Sequence, residues 1–189
     1  MSFVSVVVGT NAITVMSDGM ESKEVDGKFV ELNSEYKKFK KISDKQFIAF
    51  AGNAQICTSI ANKYKFKYEL YDLKEVAAEI QQELLQYPRN ETKNQFIVGG
   101  VQNGKLLAYT LKNDGEIPEL VDPEKSIKLA YMCSNHLDGR IERKITKTFD
   151  GYMKQVNNDS LLAQKLLNNL VADNDPTVNK KTKPLLIEL

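Results

Sequence analysis

Residues 3–8, Phe-Val-Ser-Val-Val-Val, make a dense β-branched run close to the start of the chain. Branching at Cβ stiffens the side chain and favours extended backbone. The run lacks the apolar–polar alternation of a strand with one wet face, so it predicts a strand buried on both sides. A second run over residues 12–16 follows the turn-prone Gly9-Thr10-Asn11. Together they predict a hairpin, and a hairpin covered on both faces requires layers on either side.

The rest of the chain supplies those layers. A short strand is predicted over residues 28–32, and a hairpin from residues 37–42 and 46–51 across Ser43-Asp44-Lys45. The period then changes. Ile56, Ile60, Tyr64 and Tyr68 recur at helical spacing and predict a helix from residue 53 to about 70. A second helix is expected over residues 73–87, with Val76, Ala77, Ile80, Leu84 and Leu85 on its apolar face, Asp72 as N-cap and Pro88 as terminator. Strands return at residues 96–101, 106–111, 116–121 and 127–132, with turns at Gln102-Asn103-Gly104 and Asn113-Asp114-Gly115. Helices over residues 139–155 and 160–172, the latter capped by Asp159, precede a last strand at 184–189. Residues 21–35 read as a long flexible stretch. Helices paired off between sets of antiparallel strands predict an α+β fold, two sheets face to face with helices outside.

Composition narrows the function. A length of 189 residues suits a single domain over residues 1–189. Lys and Arg number 26 against 25 Asp and Glu, a balance that points to neither nucleic acid nor an anionic membrane as partner. The longest apolar run is far too short to span a bilayer. Cys57 and Cys133 lie far apart and outside any C-x-x-C spacing, which fits free thiols in a reducing cytoplasm. No metal or other cofactor is expected. His136 is the one histidine, read as structural or exposed, so little room remains for histidine-based catalysis. Ser2 offers another route. An initiator Met before a small residue is normally removed, and a serine with a free α-amine carries nucleophile and base on one residue. The amine's reference pKa of about 7.7–8.0 lets it accept the hydroxyl proton near neutral pH.

Spacing then brings in a family. Ser2 and Asp18 are sixteen positions apart, the aspartate closing the second strand in Val-Met-Ser-Asp-Gly. Lys38 opens Lys-Phe-Lys-Lys-Ile and precedes Gly52, in Ala51-Gly52, by fourteen. Residues 95–101, Gln-Phe-Ile-Val-Gly-Gly-Val, lead into the second hairpin. In these features the chain resembles a proteasome β-subunit or the peptidase subunit of bacterial ATP-dependent two-component proteases, both N-terminal nucleophile (Ntn) hydrolases. The resemblance covers almost the whole chain.

It implies a four-layer αββα sandwich and an acyl-enzyme on Ser2 that cleaves peptide or amide bonds. Lys38 would stabilise the developing alkoxide, and Asp18 would keep that lysine charged and oriented. The Gly52 N–H would bind the oxyanion. Ser134 and Asp175 fall where the family steers the terminal amine, and Phe50 falls at the floor of the substrate pocket. The chain departs from the family in three places. It has serine for the usual threonine, a few extra residues between Asp18 and Lys38, and Met132-Cys133-Ser134-Asn135 without flanking glycines. The resemblance also implies a homo-oligomer, with a ring as one such assembly. Any ATP-driven unfoldase would be a separate chain, since no nucleotide-binding loop is present. Two alternatives share the fold: a non-catalytic subunit or scaffold that retains Met1, and a small-molecule amidase.

Overall fold

The computed structural model describes residues 2–87, 93–113, 117–124 and 126–189. The chain opens with β1 (Val4–Val8), β2 (Ala12–Asp18), β3 (Glu21–Val25), β4 (Lys28–Asn33), β5 (Phe39–Ser43) and β6 (Gln46–Ala51). Helices α1 (Ala54–Ala61) and α2 (Leu73–Leu84) follow, then β7 (Gln95–Gln102), β8 (Lys105–Lys112), β9 (Glu119–Val121) and β10 (Lys128–Met132). The chain finishes with α3 (Gly139–Glu142), α4 (Ile145–Gln155), α5 (Ser160–Ala172) and β11 (Thr182–Glu188).

Strand β1 is central, as its buried run requires. It pairs antiparallel with β2 on one side and β10 on the other, and β11 completes the sheet in the order β10-β1-β2-β11. The second sheet runs β5-β6-β7-β8-β9, also antiparallel. Val4, Val6, Ile13 and Val15 of the first sheet meet Phe47, Ala49, Ile97 and Ala108 of the second in an apolar core. On the outer face of the second sheet, Ile48, Phe50 and Val98 pack with Ile60, Ala77 and Ile80 of α1 and α2. On the outer face of the first, Phe3 and Val7 pack with Phe149, Ala163 and Leu167 of α4 and α5. The alternate residues of β1 therefore face two different cores. The four layers are αββα.

Three expectations need correction. Residues 21–35 are not a flexible stretch: β3 and β4 form a two-stranded ribbon. Asp26 and Gly27 turn it with φ of +52° and +72°, both in the left-handed region that a type I′ hairpin demands. The first helix ends at Ala61 rather than near residue 70. Beyond it Lys-Tyr-Lys-Phe-Lys-Tyr alternates with a period of two, the Lys67 N–H bonds the Ile42 carbonyl at 3.1 Å, and Tyr68 is 82% exposed. The helix expected over residues 139–155 breaks at Arg143 and Lys144, and Ile145 turns fully into the core while α3 keeps no buried residue.

Asp72 and Asp159 cap α2 and α5 as expected. Pro88, the Asp114-Gly115 turn and Glu116 lie outside the described residues. Among the described residues no helix is long and apolar enough to cross a membrane.

Phe47 fills the space between the sheets at 0% exposure. Phe47→Ala should cost about 3–5 kcal/mol. Val30→Ala on the exposed ribbon should stay within about 0.5 kcal/mol. Urea unfolding of the two variants checks the contrast.

Candidate active site

Strand register assembles the site. β1 pairs Val4 with Ser17 and, on its other side, with Met132. One residue outward, Phe3 and Asp18 bond each other: the Asp18 N–H donates to the Phe3 carbonyl at 3.1 Å, and the Phe3 N–H donates to Asp18 Oδ1 at 2.8 Å. Continuing both antiparallel counts to Ser2 sets it opposite Ser134 and next to the Asp18-Gly19 turn. Residues far apart in sequence meet at one sheet end because β1 is central.

Asp18 and Lys38 are 0% and 2% exposed. The Lys38 ammonium donates to Asp18 Oδ2 at 2.9 Å, to the Asp18 carbonyl at 3.2 Å and to the Met20 carbonyl at 2.7 Å. Asp18 Oδ2 also accepts the Met20 N–H at 2.8 Å. Burial pulls the Lys38 ammonium below its ordinary range, against the attraction of Asp18. Burial likewise pushes the Asp18 carboxyl up, against Lys38 and the two backbone N–H groups. Three donors on the carboxylate and three acceptors on the ammonium keep the pair ionised.

Ser2, Lys38, Phe50 and Gly52 line a cleft of about 630 Å³, with Phe29 of the ribbon and His136 on its rim. Asp18 lies behind Lys38. Ser134 and Asp175 form a buried pair behind the wall, the Ser134 hydroxyl donating to Asp175 Oδ2. The Thr177 N–H and hydroxyl donate to Asp175 Oδ1 at 2.9 and 2.6 Å, and the His136 N–H donates to Ser134 Oγ at 3.0 Å.

Gly52 has φ +138°, a conformation that L side chains rarely adopt. A Cβ there would come within 2.4 Å of Asn94 Oδ1 and 2.7 Å of the Lys93 carbonyl. Directly after it, Asn53 caps α1 by accepting the Gln55 and Ile56 N–H groups. Both thiols are free, and burial pushes each up to about 12, so neither offers a thiolate nucleophile. Among the described residues no group of three or more His, Cys, Asp or Glu is placed to hold a metal ion. A larger cavity of about 770 Å³ opens among β8, β9 and β10, and it is lined by none of Ser2, Asp18, Lys38, Phe50, Gly52, Ser134 and Asp175.

The crystal structure of eukaryotic HslV from Trypanosoma brucei superposes on this arrangement with a TM-score of 0.69, covering 99% of each chain at 13% identity. The fold is that of the proteasome-like Ntn hydrolases. Neither a family model nor a curated protein matches the chain. At that identity the likeness is one of fold alone.

Several parts of the site escaped the sequence. The Met20 carbonyl on Lys38 is backbone, which no side-chain pattern reports. Thr177 stands two residues beyond Asp175, a spacing typical of an Asx turn that could have been read. Phe29 and His136 meet edge to face with ring centroids 4.7 Å apart, across more than a hundred residues and without a local signal.

Removing one member of a buried ion pair strands the other. Asp18→Ala should cost about 3–5 kcal/mol in denaturant unfolding, and the apolar double variant Asp18→Leu/Lys38→Met should regain most of that loss.

Proposed function

We propose that this chain is an Ntn-type hydrolase cleaving peptide or amide bonds through an acyl-enzyme on Ser2, once Met1 has been removed. Met1 lies outside the described residues. The observation that carries the reading is Lys38. Its ammonium is buried and held by Asp18 and Met20, yet it lines the same cleft as Ser2 and Gly52.

Each group then has a chemical task. The Ser2 α-amine takes the proton from its own hydroxyl, and Oγ attacks the scissile carbonyl. The Lys38 charge stabilises the alkoxide as it forms. The Gly52 N–H receives the oxyanion, a contact whose loss typically costs about 2.7–4 kcal/mol of transition-state stabilisation. The protonated amine passes its proton to the leaving nitrogen as the C–N bond breaks. Water then attacks the ester with the same amine as base, which releases the acid and restores Ser2. Ser134 and Asp175, hydrogen-bonded to each other beyond the end of β10, orient the amine. Phe50 takes up bulk at the pocket floor and favours small or modestly apolar side chains before the cut. The protein works as a homo-oligomer, with a ring as the expected form, in a reducing cytoplasm where Cys57 and Cys133 stay free. A separate ATPase chain would supply unfolded substrate.

One observation favours a second reading, a non-catalytic subunit that retains Met1. All three Lys38 N–H groups are already engaged by Asp18 and Met20, leaving none for the Ser2 hydroxyl.

Intact mass after incubation with a peptide epoxyketone separates the two, since that probe needs both the hydroxyl and the free amine. Catalysis predicts loss of Met1 and one adduct that vanishes in Ser2→Ala. Retained Met1 without an adduct leaves the fold and removes the chemistry. Lys38→Ala should abolish turnover, and unchanged activity would sink any enzymatic reading.

The pH profile is a further check. Turnover should rise with pH as the amine, whose reference pKa is about 7.7–8.0, deprotonates. It should fall again as Lys38 loses its charge. Because burial lowers the lysine, that alkaline limb should lie below the ordinary lysine value of about 10.4.

A further inference from the structure

The proposed oxyanion donor is a backbone N–H, and a backbone N–H is useful only if its peptide plane is held. Two buried side chains outside the constellation described so far grip the planes on either side of Gly52. Asn94, 0% exposed and directly before β7, accepts the Asn53 N–H on Oδ1 at 2.9 Å. That bond fixes the peptide after Gly52. Cys57, on the first turns of α1 and also 0% exposed, directs its thiol to the Ala51 carbonyl at 3.8 Å and to Asn94 Oδ1 at 3.7 Å. A single S–H serves both acceptors, so the thiol is a weak brace on the peptide before Gly52. In a trans peptide the C=O and N–H point in opposite directions. With the Ala51 carbonyl turned back toward α1, the Gly52 N–H of the same plane is turned away from it, and Gly52 lines the cleft.

We propose that Asn94, together with Cys57, is a positioning residue that holds the Gly52 N–H toward the cleft. The inference deepens the catalytic reading and rests on it.

Two observations mark Asn94 as more than filler. Its own backbone is locked, the N–H donating to Asn113 Oδ1 at 2.9 Å and the carbonyl accepting the Asn113 N–H at 3.2 Å. Its Nδ2 is buried and, among the described residues, has no hydrogen-bond partner. A buried amide with an idle donor end is costly, so the acceptor end is the part the fold uses. Cys57 suits its own role because burial holds the thiol protonated, with a pKa pushed up to about 12, and a thiol donates where a thiolate cannot. The clamp also accounts for the glycine. Asn94 Oδ1 occupies the space a Cβ at residue 52 would need.

The test compares a tripeptide aldehyde with the matching alcohol on the full chain. The aldehyde forms a tetrahedral adduct whose oxygen requires the oxyanion donor, whereas the alcohol reports ground-state binding alone. Asn94→Leu keeps the volume and deletes the acceptor. It should weaken the aldehyde by roughly tenfold to a hundredfold, short of the ~10²–10³-fold cost of losing a donor outright, and leave alcohol affinity and KM unchanged. Equal losses for both ligands, or no loss for either, would overturn the proposal. Failure of the unmodified protein to bind the aldehyde would instead overturn the catalytic reading beneath it. If Asn94→Leu does not fold, Cys57 decides. Cys57→Ala should weaken the aldehyde several-fold and Cys57→Ser, which keeps a donor, should restore it; an unaffected Cys57→Ala would dismiss the clamp.

Discussion

A lysine ammonium taken out of water loses several kcal/mol of hydration unless its N–H groups are met. Lys38 meets this demand with one carboxylate oxygen and two backbone carbonyls, drawn from the end of β2 and the start of the ribbon. Asp18 in turn spends its remaining acceptor capacity on the Phe3 and Met20 N–H groups. A single ion pair therefore ties together the first residues of the chain, the β1–β2 hairpin, the entry to β3–β4 and the approach to β5. Moving any one of them by an ångström would leave a charge unpaired in the interior. The exit of β2, the path into the ribbon and the approach to β5 are set by this requirement as much as by apolar burial.

The layers around the pair answer a different demand. β1 offers apolar side chains to both its faces, so one sheet cannot satisfy it alone. The second sheet covers one face and the α4–α5 pair the other, while α1 and α2 close the far side of the second sheet. The polar seam at the sheet end then lies between layers, where low dielectric strengthens each contact made and penalises each one missed.

Much of this was legible in the sequence. The run over residues 3–8 announced a doubly buried strand, and the Asn103-Gly104 turn and the Asp72 and Asp159 caps were visible locally. The errors came where two local signals competed. Tyr64 and Tyr68 fit a helical period and a strand-like alternation alike, yet the segment is neither: Tyr64 is buried, Tyr68 is exposed, and among the described residues no regular element lies between α1 and α2. Residues 21–35 looked polar enough to be loose, yet Asp26-Gly27 is a hairpin turn whose backbone demand outweighs the polarity of its arms. Of the residues singled out by spacing, Ser2, Lys38 and Gly52 line one cleft, and Asp18 is bound to Lys38. The Asn94–Cys57 contacts around Gly52, by contrast, join the residue before β7 to α1 through a backbone amide and carbonyl, and neither leaves a mark on residue types.

The central strand also sets a timetable. β1 waits for β10, more than a hundred residues later, and β2 waits for β11, later still, before their sheet is complete. Pairings so distant close slowly, because the loop entropy is lost before the contacts reward it. During synthesis the most apolar segment of the chain is therefore made early and satisfied late, with its edges open to other chains meanwhile. The end of the sheet where Ser2 and Ser134 lie is complete only once β10 has paired with β1. A half-made chain carries Ser2 without the rest of the cleft, so any chemistry of the protein begins only after folding is nearly finished.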